Sequence, residues 1–176
     1  NGYFYILYKT NGNLWLKKPF VKNITWPELP NTSWPSGWSD KQKGVCPGLL
    51  GATNWMSSSY SLVTELFYVN ALESCDMEPG IHYLRGIDPL TGKKRWEYKM
   101  GSGSMYAGVM TTAGGLVFSG DDAKNFLALN GQHGQLLWKY PLGEAVFASP
   151  MTYAVDGKQY VTMAAGPKIF TFGLPD

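Results

Sequence analysis

The sequence predicts an all-β chain, part of a β-propeller, built from four-stranded antiparallel blades. Three observations carry this. The first is composition: of 176 residues, 16% are charged, 15% are aromatic and 21 are glycine. Disordered chains carry more charge and fewer aromatics, and helical bundles are rich in Ala, Glu, Lys and Leu. Many Gly, Tyr, Trp, Val and Thr instead suit short strands joined by tight turns. The second is a recurring motif. Ile87-Asp88 leads to Gly92 and Trp96, and Leu129-Asn130 leads to Gly134 and Trp138, 42 positions later. Asp or Asn opens a turn by bonding its own backbone, Gly supplies the positive φ, and the Trp packs against the neighbouring unit. The third is the period itself, since about 42 residues is the length of one four-stranded propeller blade.

The elements follow in order. Residues 1–20 read as the end of one blade, with strands near 3–8 and 13–18 and a weaker motif copy, Ile6-Leu7-Tyr8, Gly12 and an early Trp15. Residues 21–56 are an excursion rich in Pro and Trp. A blade spans 57–104, with strands near 57–61, 66–70, 82–88 and 94–99. The next spans 105–145, with strands near 108–112, 115–119, 125–129 and 136–140. Residues 146–176 give a partial closing blade with strands near 151–154, 159–163 and 168–172. Asp156-Gly157 is a two-residue hairpin signal. The chain opens at Asn1 without a leader and reads as a piece of a longer polypeptide. A net charge of +2 gives no reason to expect a nucleic-acid partner. No apolar run is long enough to span a membrane.

Several stretches resemble the C-terminal part of the quinoprotein alcohol dehydrogenases, which use pyrroloquinoline quinone (PQQ). They are Gly51-Ala52-Thr53-Asn54-Trp55 with Ser59-Tyr60, Thr112-Ala113-Gly114-Gly115-Leu116-Val117-Phe118, Ser149-Pro150-Met151-Thr152-Tyr153 and Gly157-Lys158-Gln159-Tyr160-Val161. Asn1-Gly2-Tyr3-Phe4-Tyr5 and Lys18-Pro19-Phe20-Val21-Lys22 match as well. Asp88, Gly92 and Trp96, with Asn130, Gly134 and Trp138, look like the family's tryptophan-docking repeats. The resemblance implies an eight-bladed periplasmic propeller with PQQ on its axis, calcium or a lanthanide beside it, and a cytochrome c electron acceptor.

The resemblance also implies site residues. Asn54 matches an asparagine that bonds the quinone, and an amide both donates and accepts; otherwise it caps the turn into a strand. Trp55 lines the cavity or packs in the core. Tyr106 stands where the family tends to have a Trp, with Ala107 replacing a common Asn. Gly108 and Gly166 lie at inner strand ends, where backbone could approach a ligand or simply turn. Cys46 and Cys75, the only cysteines, match a family disulfide, as against two reduced thiols. Closing a loop of about 30 residues would stabilise by roughly 3–4 kcal/mol.

The catalytic Asp, the metal ligands and the Trp beneath the quinone come from earlier blades in the family, so this chain alone is expected to be inactive and to bind no cofactor alone. Asp121, Asp122 and Asp156 read as solvated turn residues, and Glu73, Asp76 and Glu78 as a solvated loop. His82 and His133 lack zinc or triad spacing. Gly101-Ser102-Gly103-Ser104 lacks the Gly-Lys-Ser/Thr of a phosphate loop and reads as an inter-blade link. Asn23-Ile24-Thr25 and Asn31-Thr32-Ser33 are chance sequons. Trp26, Trp34 and Trp38 pack over a blade edge or form an exposed, sugar-binding patch. Cut blade faces would pair with the remaining blades of the parent protein or with a second copy. The alternative to an enzyme is a non-catalytic PQQ-repeat scaffold in the cell envelope.

Overall fold

The computed structural model describes residues 2–25, 44–76, 78–103 and 106–174. Trp26, Trp34, Trp38, the second sequon and Ser104 lie outside the described residues. There is no helix among those described. The strands are β1 (Tyr3–Leu7), β2 (Leu14–Pro19), β3 (Ser59–Ser61), β4 (Leu66–Glu73), β5 (Ile81–Ile87), β6 (Lys94–Ser102), β7 (Met110–Thr111), β8 (Leu116–Gly120), β9 (Asn125–Asn130), β10 (Leu136–Pro141), β11 (Met151–Val155), β12 (Lys158–Ala165) and β13 (Lys168–Gly173).

They form four antiparallel sheets in simple meander order: β1-β2, β3-β4-β5-β6, β7-β8-β9-β10 and β11-β12-β13. The first strand of each four-stranded sheet is shorter than the sequence predicts. The reason lies in the neighbouring sheets: Val109 N–H donates to Ser57 O, and Gly108 N–H to Ala148 O. Residues leading into β3 and β7 thus bond across sheets rather than within their own ladder.

The repeated turns share one geometry. Asp88 Oδ1 accepts from Leu90 and Thr91 N–H, and Asn130 Oδ1 accepts from Gln132 and His133 N–H. Gly92 and Gly134 close the turns at φ 66° and 70°, donating to Asp88 O and Asn130 O. A short acceptor side chain four residues before a left-handed Gly is therefore the local cause of both hairpins. The Asp156-Gly157 turn also has two positive φ values, the primed geometry that joins two-residue hairpins.

In the first unit the position equivalent to Trp96 is Leu16, paired with Ile6. A Cβ on Gly92 would meet Leu16 and Lys18. Trp15, the residue singled out in the sequence, is half exposed and stacks on Tyr8. Strand alternation explains the correction, because one residue's shift moves a side chain to the other face.

The core lies between sheets. Leu66, Tyr68, Leu84, Trp96, Met100, Val109, Val117, Leu127 and Leu129 join the two four-stranded sheets. Phe118, Phe126, Ala128, Val146 and Met163 join the second of these to β11–β13. Central strands such as β9 are consequently apolar on both faces, as packing between two neighbours requires.

Candidate cofactor wall

The segment 44–56, leading into β3, carries Asn54 and Trp55. Its position is set by the end of β4 and the loop after it. Cys46 and Cys75 form a disulfide. Asp76 accepts Gly44 and Val45 N–H through its two carboxylate oxygens. Asp76 N–H donates to Val45 O, Leu49 N–H to Asp76 O, Gly48 N–H to Ser74 O, and Leu72 N–H to Ala52 O. The expected solvated acidic loop is therefore corrected: Asp76 caps backbone donors. Glu73 lies on β4, pairs with buried Arg85 at 2.6 Å and accepts Lys22 N–H at 2.9 Å. Arg85 also donates to Phe20 O and to Glu97; its guanidinium, held by Glu73 and Glu97, ties the end of the first unit to the second.

Asn54 is exposed. Its Nδ2 donates to Leu50 O at 3.1 Å, and its Oδ1 accepts Trp55 N–H at 2.9 Å. One amide proton and one oxygen lone pair remain, which is the donor–acceptor pair a quinone carbonyl or carboxylate would use. Trp55 is 66% exposed, so it is not packed into a core formed by the described residues. Leu50, Asn54, Trp55, Met56, Leu72 and Tyr106 line a recess of about 20 Å³. Asn54, Trp55 and Tyr106 are thereby brought to one place from two separate segments. The recess holds little more than a water. Among the described residues the recess is small and does not enclose a larger ligand.

Gly108, two residues after Tyr106, lines neither this recess nor the larger cavity that Tyr106 also borders, and is packed closely by side chains. A Cβ there would collide with Ser149 and Ser57, whose hydroxyls bond to each other at 2.8 Å. Glycine at this position has a packing reason. Tyr106 packs at 5.0 Å against Phe147, the rings tilted by 43°, and borders both the recess and a larger cavity of about 230 Å³. His82, Ser102, Ala107, Asp122, Lys124 and Val146 contribute to that cavity's lining.

At its edge is a cluster that the sequence reading missed. His82, fully buried, meets Asp122 Oδ1 through Nδ1 at 3.0 Å and Asn70 Oδ1 through Nε2 at 3.1 Å. Asn70 Nδ2 donates to Ala107 O at 2.5 Å. Asp122 is thus no solvated turn residue. Its neighbour Asp121 does serve the turn, accepting from Asn125. No local signal marks the cluster, because its members come from two blades and one of them looks like an ordinary turn acid. Among the described residues no three His, Cys, Asp or Glu side chains converge as metal ligands, and none of the helical segments needed for a membrane span occurs.

Comparison with known proteins accounts for the repeat. Residues 85–161 match a family model described as "PQQ: Glucose/ethanol/alcohol dehydrogenase, beta-propeller domain". Quinoprotein alcohol dehydrogenase PedH of Pseudomonas putida is 35% identical over 204 aligned positions, covering 94% of this chain and 34% of the relative. The chain belongs to the quinoprotein alcohol dehydrogenase family. Quinoprotein ethanol dehydrogenase of Pseudomonas aeruginosa, another member, is 33% identical over 94% of this chain and 33% of its own length. The crystal structure of quinohemoprotein alcohol dehydrogenase from Comamonas testosteroni superposes with a TM-score of 0.77 at 26% identity, covering 94% of this chain and 31% of that one. Members of the family matched here include a 1-butanol dehydrogenase (cytochrome c) of Thauera butanivorans. The chain spans about a third of the length of the curated relatives it matches.

Proposed function

We propose that this chain supplies the C-terminal blades of a periplasmic PQQ-dependent alcohol dehydrogenase and one wall of its quinone cavity. The observation that carries the reading is the convergence of Asn54, Trp55 and Tyr106 on one recess of a family propeller fold. Asn54 would orient the cofactor through its spare amide proton and lone pair. Trp55 and Tyr106 would offer ring surface and exclude water beside it, and Gly108 would bring backbone close to the cavity. Bound PQQ supplies the two-electron acceptor for alcohol oxidation, with calcium or a lanthanide to polarise it. The base and the metal ligands belong to blades outside this chain, so the chain alone is inactive and holds no cofactor. A cytochrome c takes the electrons from the whole enzyme.

The exposed outer sheets fit this incompleteness. All five residues of β11 are exposed, as are Leu7, Leu14 and Ile169. These surfaces would be covered by the remaining blades of the parent protein, or by a second copy when those are missing.

Two measurements test the proposal. Purified chain, given PQQ and calcium, should not reduce dye with ethanol; turnover would sink the claim of inactivity. In the parent enzyme Asn54→Ala should weaken PQQ binding about tenfold, the worth of one or two hydrogen bonds. Unchanged affinity would remove Asn54 from the wall, and a parent protein that binds no PQQ at all would favour the scaffold reading.

A further inference from the structure

We infer that Asn70, His82 and Asp122 form a positioning relay that sets the orientation of the Tyr106–Gly108 segment; the relay's bearing on the cofactor rests on the wall proposed above. The segment is held by its carbonyls. Ala107 O accepts from Asn70 Nδ2, and Gly108 O accepts from Ser119 Oγ at 3.0 Å. The first of these bonds reaches back to the blade of β3–β6, and the second comes from β8.

The hydrogen-bond directions along the relay are forced one after another. A carbonyl can only accept, so Ala107 O obliges Asn70 to turn its amide nitrogen toward it. Asn70 Oδ1 then faces His82 and must accept, so Nε2 carries a proton and donates. Nδ1 faces Asp122 Oδ1 at 3.0 Å, and one further proton lies between them. Flipping the amide of Asn70 would set its oxygen against Ala107 O. Asp122, on the β8–β9 turn, thus holds the ring on β5 so that its Nε2–H meets Asn70 Oδ1 and supports the amide orientation that Ala107 O requires.

The backbone is shaped for this contact. The β5–β6 register breaks between His82 and Tyr83, with His82 opposite Gly101. Such a bulge re-aims a side chain. Gly101 has φ 149°, and a Cβ there would lie 2.6 Å from the Asp122 carboxylate. Asp122 N–H donates to Met100 O at 3.2 Å, which docks the turn at the same point. The other carboxylate oxygen, Oδ2, is buried without a hydrogen-bond partner among the described residues. The bond to His82 is therefore the principal compensation for burying this group.

The relay is distinguished from mere packing by two substitutions at Asp122 in the parent enzyme. Asp122→Asn can donate its amide proton to Nδ1 of a neutral ring, leaving Nε2–H for Asn70. Asp122→Leu keeps the bulk and removes the bond. Hydrogen exchange at the Gly108 and Val109 amides, which donate to Ala148 O and Ser57 O, reads the segment without reference to activity. Exchange should rise at least about tenfold in the Leu variant, the effect of one lost bond to a charged group, and stay within about threefold of wild type in the Asn variant. Leu protected like wild type, or Asn as loose as Leu, would overturn the relay. Should the Leu variant fail to fold, Asp122→Ala repeats the test without added apolar surface. PQQ affinity of the apoenzyme is measured on the same proteins. Loosening with weaker PQQ binding supports the relay and the wall together; loosening with unchanged affinity supports the relay and overturns the wall.

Discussion

Two docking tryptophans with the same local sequence sit in different surroundings. Trp96 of β6 is 8% exposed. Its ring lies over Gly86 in its own sheet and Gly134 in the next, and its Nε1 donates to Gly131 O at 2.7 Å. Tyr68 packs beside it at 5.7 Å and also reaches Gly131 O. Trp138 of β10 is 37% exposed. It stands opposite Ala128 where Trp96 has Gly86, and it meets Phe126 and Phe172 edge-on. The difference teaches that a docking Trp is completed by the neighbouring blade. Trp96 meets the β9–β10 turn, with Gly134 and the carbonyl of Gly131, whereas Trp138 meets the ring of Phe172 on β13.

The largest test of this contrast is truncation. Trp96→Ala should cost about 3–5 kcal/mol of stability, as for a buried aromatic that leaves a cavity. Trp138→Ala should cost about 1–2 kcal/mol, because much of its surface is already wet. Urea unfolding of the two variants compares them, and equal losses would break the distinction. Next comes the glycine beneath the ring. Gly134→Ala combines a left-handed backbone with a collision against Trp96, and should cost about 2–4 kcal/mol. Gly157→Ala, at φ 80° with open space around it, should cost only about 1–2 kcal/mol. Thermal unfolding separates the steric part from the strain.

The smallest effect is electrostatic. Burial pushes the Tyr68 hydroxyl above the usual tyrosine range, partly offset by hydrogen bonds to Thr64 and Ser61. Its contribution is therefore fully present below the ordinary tyrosine pKa. It falls as pH rises toward the folded value, because the unfolded chain loses that proton first. Stability at this junction should decline in alkaline buffer, and Tyr68→Phe should flatten the decline. An unaltered slope in a pH series of urea midpoints would show that Tyr68 does not couple to the junction.

Much of the fold was legible because its causes are local. The Asp88 and Asn130 turns, the glycines that end them and the strands on either side depend on residues within one hairpin. Resemblance supplied the Cys46–Cys75 pairing and pointed to Asn54, Trp55 and Tyr106. The structure places those three around one recess, with Trp55 exposed. Other features were not legible. Trp15 drew attention, yet Leu16 occupies the docking position, because facing is set by strand register. Asp122 looked like a turn acid, yet it bonds a buried histidine 40 residues away.

By itself, then, the sequence determined the period, the antiparallel hairpins and the family, since turn chemistry and alternation act over a few residues. The tertiary structure alone decided which Trp is buried, which acid is paired and which segments meet at the recess. Those outcomes depend on what the adjacent blade presents. Burial, desolvation and hydrogen-bond satisfaction are properties of two facing surfaces, and a motif read along one strand describes only one of them.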